Sequence, residues 1–137
     1  MKAKIVAKTV VLNDRDEVLL LRRSATDTRR PGEWDFPGGG IEPGEDLAEG
    51  AAREIAEESG LTIEPTQLKL IYAATELFPG RESVTRLLFA SRIETGDVQL
   101  SFEHDEFRWV DIETALTEFP HPFYGAGLKY ARDNELL

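Results

Sequence analysis

Glu54, Glu57 and Glu58 stand three and four residues apart in a chain of 137 residues. On a helix that advances about 100° per residue, this spacing gathers three carboxylates on one arc. Like charges so placed repel by a few tenths of a kcal/mol per pair on an exposed helix, and by more beside a core. A solvated acidic face tolerates that cost, whereas a bound divalent cation converts it into a binding site. Leu47, Ala48, Ala51, Ala52 and Ile55 form an apolar stripe that adjoins the acidic arc, not one that opposes it, and this favours the cation. The donors are all hard oxygens, so Mg²⁺ is expected, with Mn²⁺ as an alternative. Gly50 lies in the same arc and leaves room for a backbone or a ligand. Arg53, beside it, can pair with Glu49 or Glu57. The two histidines, His104 and His121, have no metal-ligand spacing.

A glycine-rich turn, Phe36-Pro37-Gly38-Gly39-Gly40, precedes this segment. Free carbonyls there can join a metal shell, and free N–H groups can meet phosphate oxygens. Alone, such a turn says little, because most glycine-rich turns are only turns.

The elements that must hold these groups can be read from period and punctuation. Residues 4–12 and 17–21 read as strands around a turn at Asn13-Asp14-Arg15-Asp16. Residues 24–44, with five glycines and three prolines, read as a long loop of functional kind. Residues 45–59 read as the carboxylate helix, with acidic residues in its first turn and Gly60 as its stop. Strands are expected over 66–76 and 84–93 around Pro79-Gly80, and over 106–110. Helices are expected over 112–118, capped by Asp111, and over 125–135. Mixed strands with two or three helices give an α/β or α+β layering, in a single domain over 1–137.

Bulk properties narrow the class. The net charge of −10 provides no basic footprint for a nucleic-acid polymer. Seven acidic residues and one arginine fall between Glu42 and Glu58, so a phosphate could enter there only with a cation between. There is no cysteine, hence no disulfide framework or thiolate metal site. No secretory core or membrane-length apolar run is visible, so the expected location is cytoplasmic and the expected partner a small molecule. A monomer or a homodimer is expected.

Gly39, five residues, Glu45, seven residues, then Arg53-Glu54-Ile55-Ala56-Glu57-Glu58-Ser59-Gly60-Leu61 matches the Nudix box at every defined position. The chain therefore resembles the Nudix hydrolases, over the box and over much of the flanking strands. The resemblance implies an α/β/α sandwich with a mixed sheet. It implies Mg²⁺-dependent hydrolysis of a nucleoside diphosphate linked to another moiety, by water attack at phosphorus. By position, Glu57 and Glu58 would be the main metal ligands. Glu54 would be a further ligand or the group that orients or deprotonates water. The Gly39 carbonyl would be available to the metal, Arg53 would hold the glutamates, and Glu45 would support the loop. A later carboxylate is expected to assist, from Glu103, Asp105 or Glu106. Glu103, six residues before Trp109 as in mutator-type members, is preferred. An alternative is a non-catalytic, metal-dependent nucleotide-binding module of the same fold, which broken carboxylates would mark; none is broken. A bare protein-interaction face on the acidic helix is a third reading.

Residues outside the box choose the substrate, and they match no subtype cleanly. Arg22, Arg23 and Arg86 are candidates for phosphate, and Phe123, Tyr124 and Trp34 for a base. Mutator-type members that act on oxidised guanine nucleotides carry an asparagine soon after a Phe-Pro pair. Here Phe119-Pro120 leads instead into His121-Pro122-Phe123-Tyr124. Pro79 lies eighteen residues after Leu61, close to the position expected of members that cleave ADP-ribose. A coenzyme A-type pattern is echoed only in part upstream, with Leu21 and Thr28 at two of its positions.

Overall fold

The computed structural model describes residues 2–94, 96–119 and 121–137. Its strands are β1 (Lys2–Leu12), β2 (Glu17–Arg23), β3 (Trp34–Asp35), β4 (Gly38–Gly40), β5 (Lys69–Phe78), β6 (Glu82–Arg92) and β7 (His104–Asp111). Its helices are α1 (Leu47–Ser59), α2 (Ile112–Glu118) and α3 (Tyr124–Asp133), with a 3₁₀ turn at Pro65–Gln67. The expected strands and helices are all present, with ends moved by a few residues. One expectation is corrected: the loop over 24–44 contains β3 and β4, short strands whose glycines and prolines hid them.

The seven strands make one mixed sheet in the order β3-β2-β1-β6-β5, with β4 also on β1 and β7 on β2. β1 and β6 run parallel along their whole length, while the other pairs are antiparallel. β1 meets β2 only at Leu12 and Val18. Beyond that point the two strands diverge, and residues 34–40 run through the gap. Trp34 and Asp35 pair with β2, and Gly38–Gly40 pair with β1.

Alternation along the strands sends side chains to two cores. Val10, Leu12, Val18, Leu20 and Leu88 pack against Ala115 of α2 and Leu128 and Ala131 of α3. On the opposite face Val11, Leu19 and Leu21 meet Ile55, and Ala7, Leu87 and Phe89 meet Ala51. The sheet is thus sandwiched between α1 and the α2/α3 pair, which is the α/β/α arrangement expected.

α1 starts where the Asp46 side chain accepts from the N–H groups of Ala48 and Glu49, and it ends at a left-handed Gly60. Its buried stripe is Gly50, Ala51, Ile55, Glu58 and Ser59, rotated from the stripe expected. Leu47 is exposed, while Glu58 is drawn inward. No helix among the described residues is long and apolar enough to cross a membrane.

Candidate active site

A cleft of about 420 Å³ runs beside the Gly38–Gly40 strand, with Glu54, Glu57, Glu58 and Glu103 on it. Lys8, Arg23, Arg29, Arg30 and Arg86 line the same cleft. The chain's most acidic segment therefore faces a wall of cations drawn from β1, β2, β6 and the loop after β2.

Arg53 organises the acidic side. Its Nε and Nη2 donate to the two Glu45 carboxylate oxygens at 2.7 and 3.0 Å. Its Nη1 donates to Glu54 and Glu57, each at 3.1 Å, and Nη2 also reaches the Gly40 carbonyl at 3.1 Å. Glu45, not Glu49, is its main partner besides the site glutamates. Paired in this way, Glu45 is held down at about 2, and the Arg53 guanidinium is raised still further, chiefly by Glu45. Glu45 also accepts from the Glu42 N–H at 3.0 Å, which shapes the loop entering α1.

The glycines serve distinct steric purposes. A Cβ on Gly39 would lie 2.7 Å from a Glu54 carboxylate oxygen, so the bare backbone lets that carboxylate lie against β4. Gly38 has φ +148°, and a Cβ there would run into the Ala7 carbonyl. The room expected at Gly50 for a ligand is filled instead by Glu45 and Ile41 of the chain's own loop, each 2.7 Å from where a Cβ would stand.

Glu58 is only 6% exposed. Its Oε1 accepts from the Gly38 N–H at 2.6 Å. Burial pushes its carboxyl up to about 7, eased by Lys8 and the Gly38 N–H and reinforced by Glu54 and Asp35. Glu54 is raised as well, mainly by burial, against the pull of Arg53. Glu57 is more than half exposed at the other side of Arg53. Among the described residues, no three carboxylates or histidines stand close enough together to hold a metal as they are.

Several residues here were not anticipated. Lys8 is 5% exposed, and its ammonium lies 2.9 Å from the Asp35 carboxylate and donates to the Gly38 carbonyl at 3.1 Å. Burial works against the charge on each, but the pair holds Lys8 above and Asp35 below the ordinary values. His104 is buried, with Nδ1 4.0 Å from Glu58, and burial lowers its pKa. Arg29 and Arg30 join the cleft from the loop after β2. A lysine inside the apolar run of β1 was the one available signal for the ion pair.

Of the two arginines ending β2, alternation sends only Arg23 to the cleft, where it pairs with Asp27 at 3.0 Å and approaches Asp35 at 3.6 Å. Arg22 turns away to Asp105 and Glu106. That leaves Glu103 as the late carboxylate lining the cleft. It is held there because the Glu103 carbonyl accepts from Ser24 at 2.9 Å and the Gln99 N–H is bonded to the Ser59 carbonyl at 2.8 Å. Arg86 lines the cleft with its guanidinium on Glu76 and 5.9 Å from the Tyr124 ring centroid. Tyr124 reaches the cleft, but Phe123 does not. Phe123 packs on Tyr72 at 5.2 Å and borders a neighbouring groove. Trp34 stands outside the carboxylate cleft, edge-on to Phe119 at 6.3 Å. Pro120 of the Phe-Pro pair lies outside the described residues.

A family model described as NUDIX domain matches residues 2–128. The 8-oxo-dGDP phosphatase NUDT18 of Homo sapiens is 37% identical over 100 residues, covering 73% of this chain and 28% of that protein. The asymmetrical bis(5'-nucleosyl)-tetraphosphatase of Caenorhabditis elegans is 33% identical over 106 residues, covering 73% of this chain and 71% of that protein. Among solved structures, the MutT protein from Methanosarcina mazei Go1 superposes with a TM-score of 0.82 at 31% identity, covering 97% of this chain and 96% of that one. The chain spans less than a third of the length of the first curated relatives it matches.

Proposed function

This chain belongs to the Nudix family, and on that premise we propose that it hydrolyses a diphosphate linkage in a small nucleoside diphosphate derivative. The observation that carries the reading is the cleft itself, where Glu54, Glu57, Glu58 and Glu103 face Lys8, Arg23, Arg29, Arg30 and Arg86. Carboxylates alone would repel a polyphosphate, and cations alone would bind it without activating water. The two together suit phosphoryl chemistry.

The donor set fits a hard divalent cation. It is composed of oxygens, and burial raises both Glu54 and Glu58, so their charge lacks full compensation from Arg53 and Lys8. Glu54, Glu57, Glu58 and the Gly39 carbonyl would hold Mg²⁺ or Mn²⁺. When bound, such an ion neutralises phosphate charge and lowers the pKa of water.

The chain's own groups supply the rest. Arg86, Lys8 and the loop arginines bind the phosphate oxygens and take up charge that grows as the phosphorus–oxygen bond to the leaving group breaks. Glu54 or Glu103 accepts a proton from the attacking water as its oxygen bonds to phosphorus. Arg53 takes no part in bond making; it keeps Glu54 and Glu57 in place. A panel of nucleoside triphosphates, dinucleoside polyphosphates and nucleotide sugars, assayed with Mg²⁺, tests the reading. Glu57→Gln is expected to lower turnover of the accepted substrate at least about a hundredfold. Equal product release by wild type and variant would refute the site.

A further inference from the structure

Next to the carboxylate cleft lies a second cavity of about 450 Å³, walled by Trp34, Phe36, Phe119, Tyr124 and His121. Arg30 and Tyr124 belong to the walls of both spaces. A nucleotide with its phosphates in the cleft can therefore place its base among these aromatic rings.

The polarity of that cavity is set by an unusual cap. The Nδ1 atom of His121 accepts from the backbone N–H groups of Phe123 at 3.0 Å and Tyr124 at 3.1 Å, where α3 begins. Backbone amides can only donate, so Nδ1 carries the lone pair and the ring proton sits on Nε2. Burial lowers the His121 pKa, which keeps the ring neutral. The edge of the ring opposite the cap is thus a donor and cannot act as an acceptor. His121 also borders the groove lined by Phe78 and Phe123 and a hollow at Glu113 and Lys129, but the cavity is the most aromatic of the three, with Trp34, Phe36, Phe119 and Tyr124 on its walls.

Tyr124 joins this cavity to the carboxylate cleft. Tyr124 is 3% exposed, and its buried hydroxyl has the Arg86 guanidinium beside it. That guanidinium donates through Nε and Nη2 to Glu76 and also engages the tyrosine. Glu33 and Glu118 add acceptors to the cavity wall.

We propose that His121 is a specificity-determining residue whose Nε2–H reads a keto oxygen on the base, so that the site takes 6-oxopurine nucleotides in preference to 6-aminopurine ones. This rests on the nucleotide-hydrolase reading above. A 6-oxopurine places its N1–H beside the oxygen, toward the acceptors Glu33 and Glu118, while adenine inverts both groups.

Inosine and adenosine triphosphates differ only in that edge. The test measures kcat/KM and the equilibrium Kd for both in Mg²⁺, with the full chain, His121→Asp and Tyr124→Phe. Wild type is expected to favour inosine triphosphate by about tenfold or more. His121→Asp retains an acceptor for the α3 amides, so it should melt near wild type, and its preference should vanish or reverse. Tyr124→Phe should weaken both nucleotides alike and leave their ratio unchanged. A wild-type ratio within about twofold of one, or a ratio that survives His121→Asp, overturns the proposal. If both triphosphates are hydrolysed equally, the hydrolase reading stands and the base preference falls. Selective binding with no turnover of any nucleotide supports the preference and removes the hydrolase reading; absence of binding to either overturns both.

Discussion

Glu58→Gln is the perturbation that most directly measures how far the cleft is desolvated. In the folded chain the Glu58 carboxyl titrates at about 7, against an ordinary value of 4.5. Between those values the folded protein holds a proton that the unfolded chain has released, so stability falls as pH rises through this window. At about 1.4 kcal/mol for each pH unit, the ionised carboxylate costs about 3 kcal/mol once the pH exceeds 7. Glutamine keeps an oxygen for the Gly38 N–H, 2.6 Å away in the native site, and has no charge to lose. With about 2 cal/mol/K of unfolding entropy per residue, the cost corresponds to roughly 10 °C in Tm for a domain of this size. The assay is thermal or urea unfolding of both proteins in chelator, from pH 4.5 to 8. Buried His104 and His121 have lowered pKa values, which makes stability rise with pH below 6.5, but both proteins share them. The difference between the proteins should therefore grow in favour of the variant by about 3 kcal/mol across the window. Parallel curves would show that Glu58 ionises as if in water, and would refute the desolvated cleft.

Two further perturbations test the scaffold. Lys8→Met leaves the buried Asp35 carboxylate with the Phe36 N–H at 2.8 Å and, among the described residues, Arg23 at 3.6 Å as its remaining cation, and should cost about 3–5 kcal/mol in urea unfolding. Adding Asp35→Asn should return a large part of that, and no recovery would show that the ion pair is not the cause. Gly38→Ala drives a methyl group into the Ala7 carbonyl, so it should lose several kcal/mol of stability, or fail to fold, as read by circular dichroism and urea titration; a near-native melting curve would contradict the close approach of β4 to β1.

The carboxylate helix was legible in the sequence because its signals are local. Asp46 caps it, Gly60 stops it and the three glutamates share an arc by spacing alone. The strands were legible for the same reason, through runs of β-branched and aliphatic residues. The pairing of Lys8 with Asp35 was not, because it joins positions 27 residues apart across the divergence of β1 from β2. β3 and β4 were missed because backbone pairing to β2 and β1 overrides the turn chemistry of Pro37 and the glycines. Leu47 looked like core and is exposed, while Glu58, expected beside the apolar stripe, is itself part of the buried one. Hydropathy does not include the stabilisation that the Gly38 N–H and Lys8 give a carboxylate at that position. Glu103 could be ranked above Asp105 and Glu106 by spacing, but only the ion pairs of Arg22 show where the other two are engaged.

The network centred on Arg53 begins and ends within one stretch of chain. Its partners Gly40, Glu45, Glu54 and Glu57 all fall between residues 40 and 57. By contrast, His121 and Tyr124 come from the α2–α3 connection and the start of α3. On the proposed reading, the carboxylate unit and the residues that choose the base are thus written in separate passages of the sequence. A lineage could then alter which base enters by changing the last connection, without rebuilding the carboxylate unit. The same separation gives an engineer a practical division of labour: residues 38–60 and Arg86 are to be held fixed, and diversity is to be introduced at 119–124.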